Sequence, residues 1–269
     1  MHLPQRSKNR YFLGHWNLNF FPIFIYISFT ISILCIIKFL AFPYITLISQ
    51  KYWSRLILFF LLFCFYLRLS IIFVGPGYLP FYANKKSLIE ENNPLSGLVY
   101  NIEQYKYVSS NPPKFDAIFS LREGRFILRA DQYSYFLTTW IGKKNQKLFI
   151  YLQIIELFLF MSYLGPISQA IFIIPNLYAI SYYYYYFIVF ILILLLVFCI
   201  INIFIIFEQI RLVSLGLTTF QEQNHNYNTV RFSPLKNWQD ICGKSIWNWF
   251  LPIPAFPFQS DMSLAYEMN

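Results

Sequence analysis

The chain has 269 residues, of which 57% are hydrophobic and 22% aromatic, while only 12% are charged. Soluble domains carry about 25% charged residues, so this composition excludes an ordinary soluble protein and indicates a membrane protein. The formal net charge of +9 does not indicate a nucleic-acid partner. The basic residues flank apolar runs, where they fix topology and contact lipid headgroups, and no nucleic-acid-binding pattern accompanies them.

Four apolar runs predict four transmembrane helices, since a bilayer crossing takes about 20 residues. They cover residues 19–42, 53–74, 148–164 and 182–207. The third run is short, and we expect it to continue in part beyond Gly165-Pro166. The predicted fold is therefore an α-helical integral membrane protein, with an N-terminal segment 1–18, a central loop 75–147 and a C-terminal region 208–269.

The distribution of Lys and Arg predicts the orientation. The N-terminal segment carries three basic residues and the central loop ten, whereas the connection 165–181 carries none. Because basic residues favour the cytosolic side, we expect both termini and the central loop to be cytosolic. A cleaved signal peptide at the start is disfavoured, because the run 19–42 is too long for a signal core.

Four charged residues fall inside predicted spans, and two of them, Lys38 and Arg55, lie near span ends where their side chains can reach the interface. Arg68 lies in the second span and Glu156 in the third. Ionisable groups at such positions pair with one another or mark a transport pathway. The sequence favours a structural ion pair between them.

Short motifs recur around the spans in a fixed order. Pro76-Gly77 follows the second span, and the core Asp131-Gln132-Tyr133-Ser134 lies 14 residues before the third predicted run. The remaining segments are Pro112-Pro113-Lys114, Gly142 with Asn145, Thr218-Thr219 and Asn237 with Gly243, the last followed by a Trp-rich stretch that closes in Leu251-Pro252.

In this order, and on four spans, these motifs resemble the DHHC-type protein S-acyltransferases. The family motif reads Asp-His-His-Cys; here the Asp is Asp131, Gln132 and Tyr133 take the two His places, and Ser134 takes the place of the nucleophile. The Thr218-Thr219 pair resembles the family's Thr-Thr-x-Glu element, with Gln221 in the Glu place. The resemblance implies palmitoylation of protein cysteines from palmitoyl-CoA.

The resemblance also implies how the reaction would work. In the family the Cys attacks the acyl-CoA thioester, a His deprotonates it and the Asp orients that His. A Ser hydroxyl is a poor nucleophile without a base, and neither Gln132 nor a neutral Tyr133 supplies one. We therefore expect acyl transfer to be impaired.

The family's cytosolic loop is held by zinc on Cys and His ligands. Here residues 75–147 contain neither residue type, and the family's Cys positions fall on Ser120, Glu123, Phe126 and Trp140. Zinc is therefore not expected. We predict that aromatic side chains pack in its place, with six candidates: Phe115, Phe119, Phe126, Tyr133, Phe136 and Trp140.

These observations favour a degenerate member of the family that binds an active acyltransferase or its substrate, or holds lipid or fatty acyl-CoA. The implied location is the endoplasmic reticulum, the Golgi or the plasma membrane. Two alternatives stay open: an active acyltransferase that uses Ser134, and an unrelated four-span transporter or membrane-shaping protein. The Trp-rich tail has a second interpretation as an interfacial aromatic belt, and Cys242 is interpreted as a packed residue.

Overall fold

The computed structural model describes residues 4–7, 10–13, 16–17, 21–78, 117–120, 125–173, 182–223 and 233–255. Four helices are long and apolar enough to cross a membrane: Phe24–Tyr44, Leu47–Val74, Gln146–Ile173 and Tyr182–Leu215. The prediction of a helical protein with four membrane-spanning helices is confirmed.

The first span begins as helix α1, Phe21–Ile36, and continues through a π-helical turn, Ile37–Ala41, and a 3-10 turn, Phe42–Tyr44. The other three spans are α2, Leu47–Val74, α3, Gln146–Ile173, and α4, Tyr182–Leu215. The expected continuation of the third span is present, because α3 runs on through Pro166 to Ile173. Membrane helices tolerate such a proline. In the same turn the Ser168 hydroxyl donates to the Gly165 carbonyl over 2.9 Å.

Short elements complete the described chain. Three antiparallel strands lie near the N-terminus: β1, Pro4–Ser7, β2, Arg10–Leu13, and β3, Trp16–Asn17. Two antiparallel hairpins follow: β4, Ala117–Ser120, with β5, Arg125–Leu128, and β6, Gln132–Ser134, with β7, Thr139–Ile141. Three helices follow α4: α5, Thr219–Gln223, α6, Pro234–Cys242, and α7, Ile246–Phe250.

The chain divides into two compact units. The helical unit comprises Phe21–Leu69 and Phe149–Arg211. The motif unit comprises Met1–Phe20, Ser70–Leu148 and Leu212–Asn269. All of the sequence motifs described above therefore fall within the motif unit, and the Arg68–Glu156 pair falls within the helical unit.

Close packing of α2 against α3 characterises the helical unit. The Trp53 ring fills the space beside Gly165, so a Cβ at position 165 would overlap the indole. The Trp53 Nε1 donates to the Gln169 side-chain oxygen over 3.2 Å. Further along, the rings of Phe60 and Phe158 stack with centroids 5.7 Å apart. Small residues let membrane helices approach closely, and Gly165 serves that purpose here.

The expected ion pair between Arg68 and Glu156 is present. The guanidinium donates to the Glu156 carboxylate, and the two residues are only 6% and 8% exposed. The Tyr26 ring lies against the guanidinium, with its centroid 3.5 Å from the Arg68 Cζ. The pair thus joins α2 to α3, with α1 supplying an aromatic face for the cation.

Breaking this pair should destabilise the helical unit. Glu156→Gln leaves the Arg68 guanidinium buried without its counter-charge, which costs about 3–5 kcal/mol in buried pairs. Replacing both partners by apolar residues, Arg68→Met with Glu156→Leu, should cost much less, since it removes both charges. Thermal unfolding in one detergent compares the three proteins. A single variant as stable as the wild type would contradict a structural pair.

Candidate active site

Asp131 joins the β6–β7 hairpin to helix α5. Its backbone N–H donates to the Ile141 carbonyl over 2.8 Å, and its own carbonyl accepts from the Phe220 N–H over 2.9 Å. Its carboxylate Oδ1 accepts from the Thr219 N–H over 2.7 Å, and the residue is 1% exposed. Asp131 therefore binds the first two amides of α5 with a carboxylate and a carbonyl, where a negative group is favoured by the helix dipole.

Thr218 and Gln221 complete the start of the same helix. The Thr218 Oγ1 accepts from the Gln221 N–H over 3.2 Å, and the Gln221 side-chain oxygen accepts from the Thr218 N–H over 2.9 Å. This reciprocal pattern is a capping box. Gln221, and not Glu222, thus makes the side-chain contact at the position of the family's Glu.

Ser134 ends strand β6, opposite Thr139 of β7. Its hydroxyl oxygen accepts a hydrogen bond from the Leu137 N–H over 3.3 Å. A Ser oxygen that accepts from a backbone amide two or three residues on is a common turn-stabilising arrangement. The arrangement shows Ser134 as part of the hairpin turn. Its role in catalysis, like those of Asp131, Gln132 and Tyr133, stays a prediction.

Gln132 and Tyr133 precede Ser134 on β6, opposite Ile141 and Trp140. The Tyr133 ring makes edge-to-face contacts with Tyr135 and Trp140, at centroid distances of 5.3 and 5.8 Å. Both residues are partly buried. Tyr133 is therefore positioned by aromatic packing beside the Ser134 backbone.

The tip of this hairpin carries two exposed aromatic residues. Tyr135 and Phe136 are 70% and 65% exposed. The turn closes through Thr138, whose φ of 48° is uncommon for a residue with a side chain. The prediction that Phe136 packs inside the domain is wrong, because the turn directs its ring outward.

The positions aligned with zinc ligands contact one another through other chemistry. The Trp140 Nε1 donates to the Ser120 hydroxyl over 3.0 Å, and the Trp140 ring lies 6.4 Å from that of Phe220. Phe126 is buried. Hydroxyl, indole and phenyl groups do not fit a zinc site, which takes thiolate, imidazole or carboxylate. Among the described residues no cluster of His, Cys, Asp and Glu could hold a metal.

Some predicted residues lie outside the described part of the chain. They are Pro112-Pro113-Lys114, Phe115, Glu123 and the side chain of Phe119. Of the described candidates, Phe126 is buried and Tyr133 packs edge to face with Trp140. That this packing takes the place of zinc stays a prediction. A small cluster of Tyr78, Ile127 and Ala130 continues this packing toward the end of α2.

Gly142 and Asn145 form a tight turn that leads into α3. The Asn145 Oδ1 accepts from the Gly142 N–H over 2.8 Å, and its Nδ2 donates to the Trp140 carbonyl over 3.0 Å. A Cβ at Gly142 would lie 2.7 Å from the Pro76 carbonyl oxygen and 2.9 Å from that of Leu128. Only glycine fits here, because the clashing atoms belong to the backbone.

Pro76-Gly77 faces this turn at the end of α2. The Gly77 carbonyl accepts from the Leu128 N–H over 3.0 Å, and the Leu128 carbonyl accepts from the Lys143 N–H over 3.0 Å. Gly77 has a φ of 91°, a conformation that L side chains rarely adopt. The two glycine motifs are thus joined through one residue of β5.

Asn237 positions the C-terminal segment against the end of α4. Its Nδ2 donates to the Ser214 carbonyl over 3.0 Å. Gly216, with a φ of 73°, terminates α4 in a Schellman motif, in which the Leu217 N–H donates to the Leu212 carbonyl over 3.0 Å. A Cβ at Gly216 would lie 2.9 Å from the Asn237 amide, so the glycine also leaves room for this contact.

Gly243 ends α6 with a φ of 92°, and its carbonyl accepts from the Trp249 Nε1 over 2.8 Å. The preceding residue, Cys242, is buried. Burial raises the pKa of its thiol to about 11, against the opposing effect of the nearby Lys147 ammonium. The thiol therefore stays protonated at neutral pH, and the interpretation of Cys242 as a packed residue stands.

Two buried lysines make long-range contacts within the motif unit that sequence reasoning missed. The Lys143 Nζ donates to the Asp240 carbonyl near the end of α6. The Lys147 Nζ donates to the Asn248 carbonyl and, over 3.0 Å, to the Ile253 carbonyl. Both residues are nearly inaccessible. No local signal could have found these contacts, because Lys143 lies in the turn before α3 and the partners of both lysines are distant in sequence.

Removal of the Asp131 carboxylate should destabilise the motif unit. Asp131→Ala leaves the Thr219 N–H without its charged acceptor, and hydrogen bonds to charged groups contribute about 1.5–3 kcal/mol. For a protein of this size we expect a melting temperature lower by about 3–12 °C. Asp131→Asn keeps an acceptor oxygen, so its melting temperature should lie between those of the wild type and Asp131→Ala. Gln132→Ala is the control, and an equal loss in both alanine variants would contradict the role of Asp131.

Chelation of zinc should leave the stability unchanged. Zinc-dependent domains lose on the order of 10 kcal/mol when the metal is removed. The donor set here does not fit zinc, so circular dichroism and thermal melting with and without a chelator should coincide. A large drop in melting temperature with chelator would mean that a metal holds the loop after all.

Comparison with known proteins finds a family resemblance across this site. The family model for the DHHC palmitoyltransferases matches residues 99–226. No curated protein matches the chain. The match spans the β-hairpins, Asp131 to Ser134, the Gly142–Asn145 turn and the capping box, and it favours the family over the alternative of an unrelated four-span protein. The predicted resemblance is confirmed: over residues 99–226 this membrane protein resembles the DHHC palmitoyltransferases.

Proposed function

We propose that this protein is a palmitoyltransferase-like membrane protein that keeps the framework of the family and has impaired acyl transfer. Its work is then to bind an active acyltransferase or a substrate protein. One observation carries the proposal: the Asp131 carboxylate accepts from the backbone of α5, and the Ser134 oxygen accepts from the backbone of its own turn.

The chemistry at Ser134 supports this proposal. Acyl transfer needs a nucleophile whose proton passes to a base held within hydrogen-bond distance. The amide of Gln132 has no basic lone pair, and a phenol such as Tyr133 is a base only as phenolate, which is scarce at neutral pH. A serine oxyester would also pass its acyl group to a thiol less readily than a thioester does.

Binding of the family's acyl donor does not require a nucleophile or a base. We propose that fatty acyl-CoA or membrane lipid contacts the apolar helices, as the family resemblance implies. The proposed orientation, which the basic residues favour, places both termini and the segment 75–147 in the cytosol. The family resemblance implies an endomembrane or the plasma membrane.

Autoacylation tests the loss of transfer. Purified wild type and Ser134→Ala, both shown to be folded, are incubated with tagged palmitoyl-CoA, beside an active family member as positive control. We expect equal, background label in both. Label that disappears in Ser134→Ala and resists neutral hydroxylamine, as an oxyester should, would show a serine acyl-enzyme and overturn the proposal.

Thermal unfolding tests whether the acyl donor still binds. A ligand present at 100 times its dissociation constant stabilises the folded state by about 2.7 kcal/mol. We expect palmitoyl-CoA to raise the melting temperature by about 5–11 °C in a protein of this size, and equimolar CoA with palmitate to raise it less. Equal melting temperatures without ligand, with palmitoyl-CoA and with CoA plus palmitate would leave protein binding as the only proposed role.

A further inference from the structure

The C-terminal segment presents an apolar face that the described residues do not cover. On helix α7, Ile246, Trp247 and Phe250 are 61%, 77% and 73% exposed, and Leu251 directly after it is 47% exposed. Ile246, Trp247 and Phe250 lie on one side of this helical turn, and Leu251 follows directly in extended backbone. We call these four residues the C-terminal apolar face.

The other tryptophans of this segment have a different environment. The Trp249 Nε1 donates to the Gly243 carbonyl over 2.8 Å, and the Trp238 Nε1 donates to the Ser214 hydroxyl over 3.1 Å. Their rings lie 6.4 Å apart, and both are partly buried. Trp249 points away from the apolar face, because two residues span about 200° on a helix. Trp247 is thus exposed, whereas Trp238 and Trp249 are partly buried and hydrogen-bonded within the segment.

Hydrogen bonds fix this face at the start of a membrane span. Lys147 lies in the first turn of α3, and the membrane-spanning helix begins one residue earlier at Gln146. Its Nζ binds the Asn248 carbonyl in α7 and the Ile253 carbonyl just beyond. The residues that flank the apolar face are therefore bound to the first turn of a candidate membrane span.

The composition of the segment fits a lipid surface. Trp and Phe are enriched where a protein meets the headgroup region, because their rings are apolar and tolerate polar surroundings at the edge. Lys244, two residues before the face, is exposed and suits contact with anionic headgroups. A protein partner would need a complementary surface, whereas the bilayer is already adjacent through Lys147.

We propose that the C-terminal apolar face inserts into the interface of the same bilayer that α3 crosses. Amphipathic segments of this kind lie about 5–10 Å deep, at the boundary of headgroups and acyl chains. The insertion brings α7 into contact with lipid. This inference concerns membrane contact and does not depend on whether acyl transfer is impaired.

Fluorescence quenching in lipid nanodiscs tests the insertion. The full chain carries Cys35→Ser, because Cys35 is the exposed thiol and the other three cysteines are buried. A single bimane label is placed at Trp247→Cys, or at Phe250→Cys on the same face. The matched control is Lys236→Cys on α6, which is also exposed. Quenchers are nitroxide-labelled phospholipid in the bilayer and iodide in the water.

We expect lipid nitroxide to quench positions 247 and 250 at least twofold more than position 236, and iodide to show the reverse order. Stronger quenching by iodide at 247 and 250 would show a solvated face and overturn the proposal. Weak quenching by both agents would show a face covered by protein, and that result would also overturn it. Labelled proteins that elute as the wild type does are used, so a folding defect is not mistaken for either result.

Discussion

The motif unit depends on the hydrogen bonds that Asp131 accepts from two backbone N–H groups of helix α5. Its carboxylate and its carbonyl bind consecutive N–H groups at the start of α5, while its own N–H continues the β6–β7 ladder. A buried carboxylate needs such partners, because an unpaired charge in a dry site is costly. The Asp131 carboxylate therefore has a structural role even though the next residue is Gln132 and not a His. This explains how the outline of an acyl-transfer motif persists with different atoms at its nucleophile and base positions.

The four membrane helices could be predicted from the sequence, because each forms from one continuous segment of the chain. Hydropathy alone locates four helices, because each must satisfy its own backbone in the bilayer. Their ends were less predictable: α2 begins at Leu47 and not near Trp53, and α4 extends to Leu215. Long basic side chains such as Lys51 and Arg55 can reach water while their backbone stays helical. The continuation of α3 through Pro166, by contrast, was expected from the short third run.

At the candidate site, local motifs were predictable and distant contacts were not. Gly142 with Asn145 and Thr218 with Gln221 form turns and caps within four residues, so their spacing reveals them. Lys143 and Lys147 bind carbonyls about a hundred residues away, and no local pattern encodes such a bond. Phe136 was misplaced because composition suggested packing, whereas the positive φ of Thr138 turns the tip outward. The predicted aromatic packing would have to combine several weak contacts, since an aromatic pair contributes only about 0.5–1.5 kcal/mol.

The two lysine anchors have a consequence for the order of events during biosynthesis. Lys143 and Lys147 are separated from their carbonyl partners by 97, 101 and 106 residues. At about 5–20 residues per second, a ribosome needs roughly 5–20 s to make that intervening chain. During this interval α3 and α4 can enter the bilayer while both ammonium groups remain hydrated and available to anionic lipid. The same charges thus act first as topological signals on the nascent chain and later as buried donors. Final closure of the motif unit must await synthesis of the segment Asp240–Ile253.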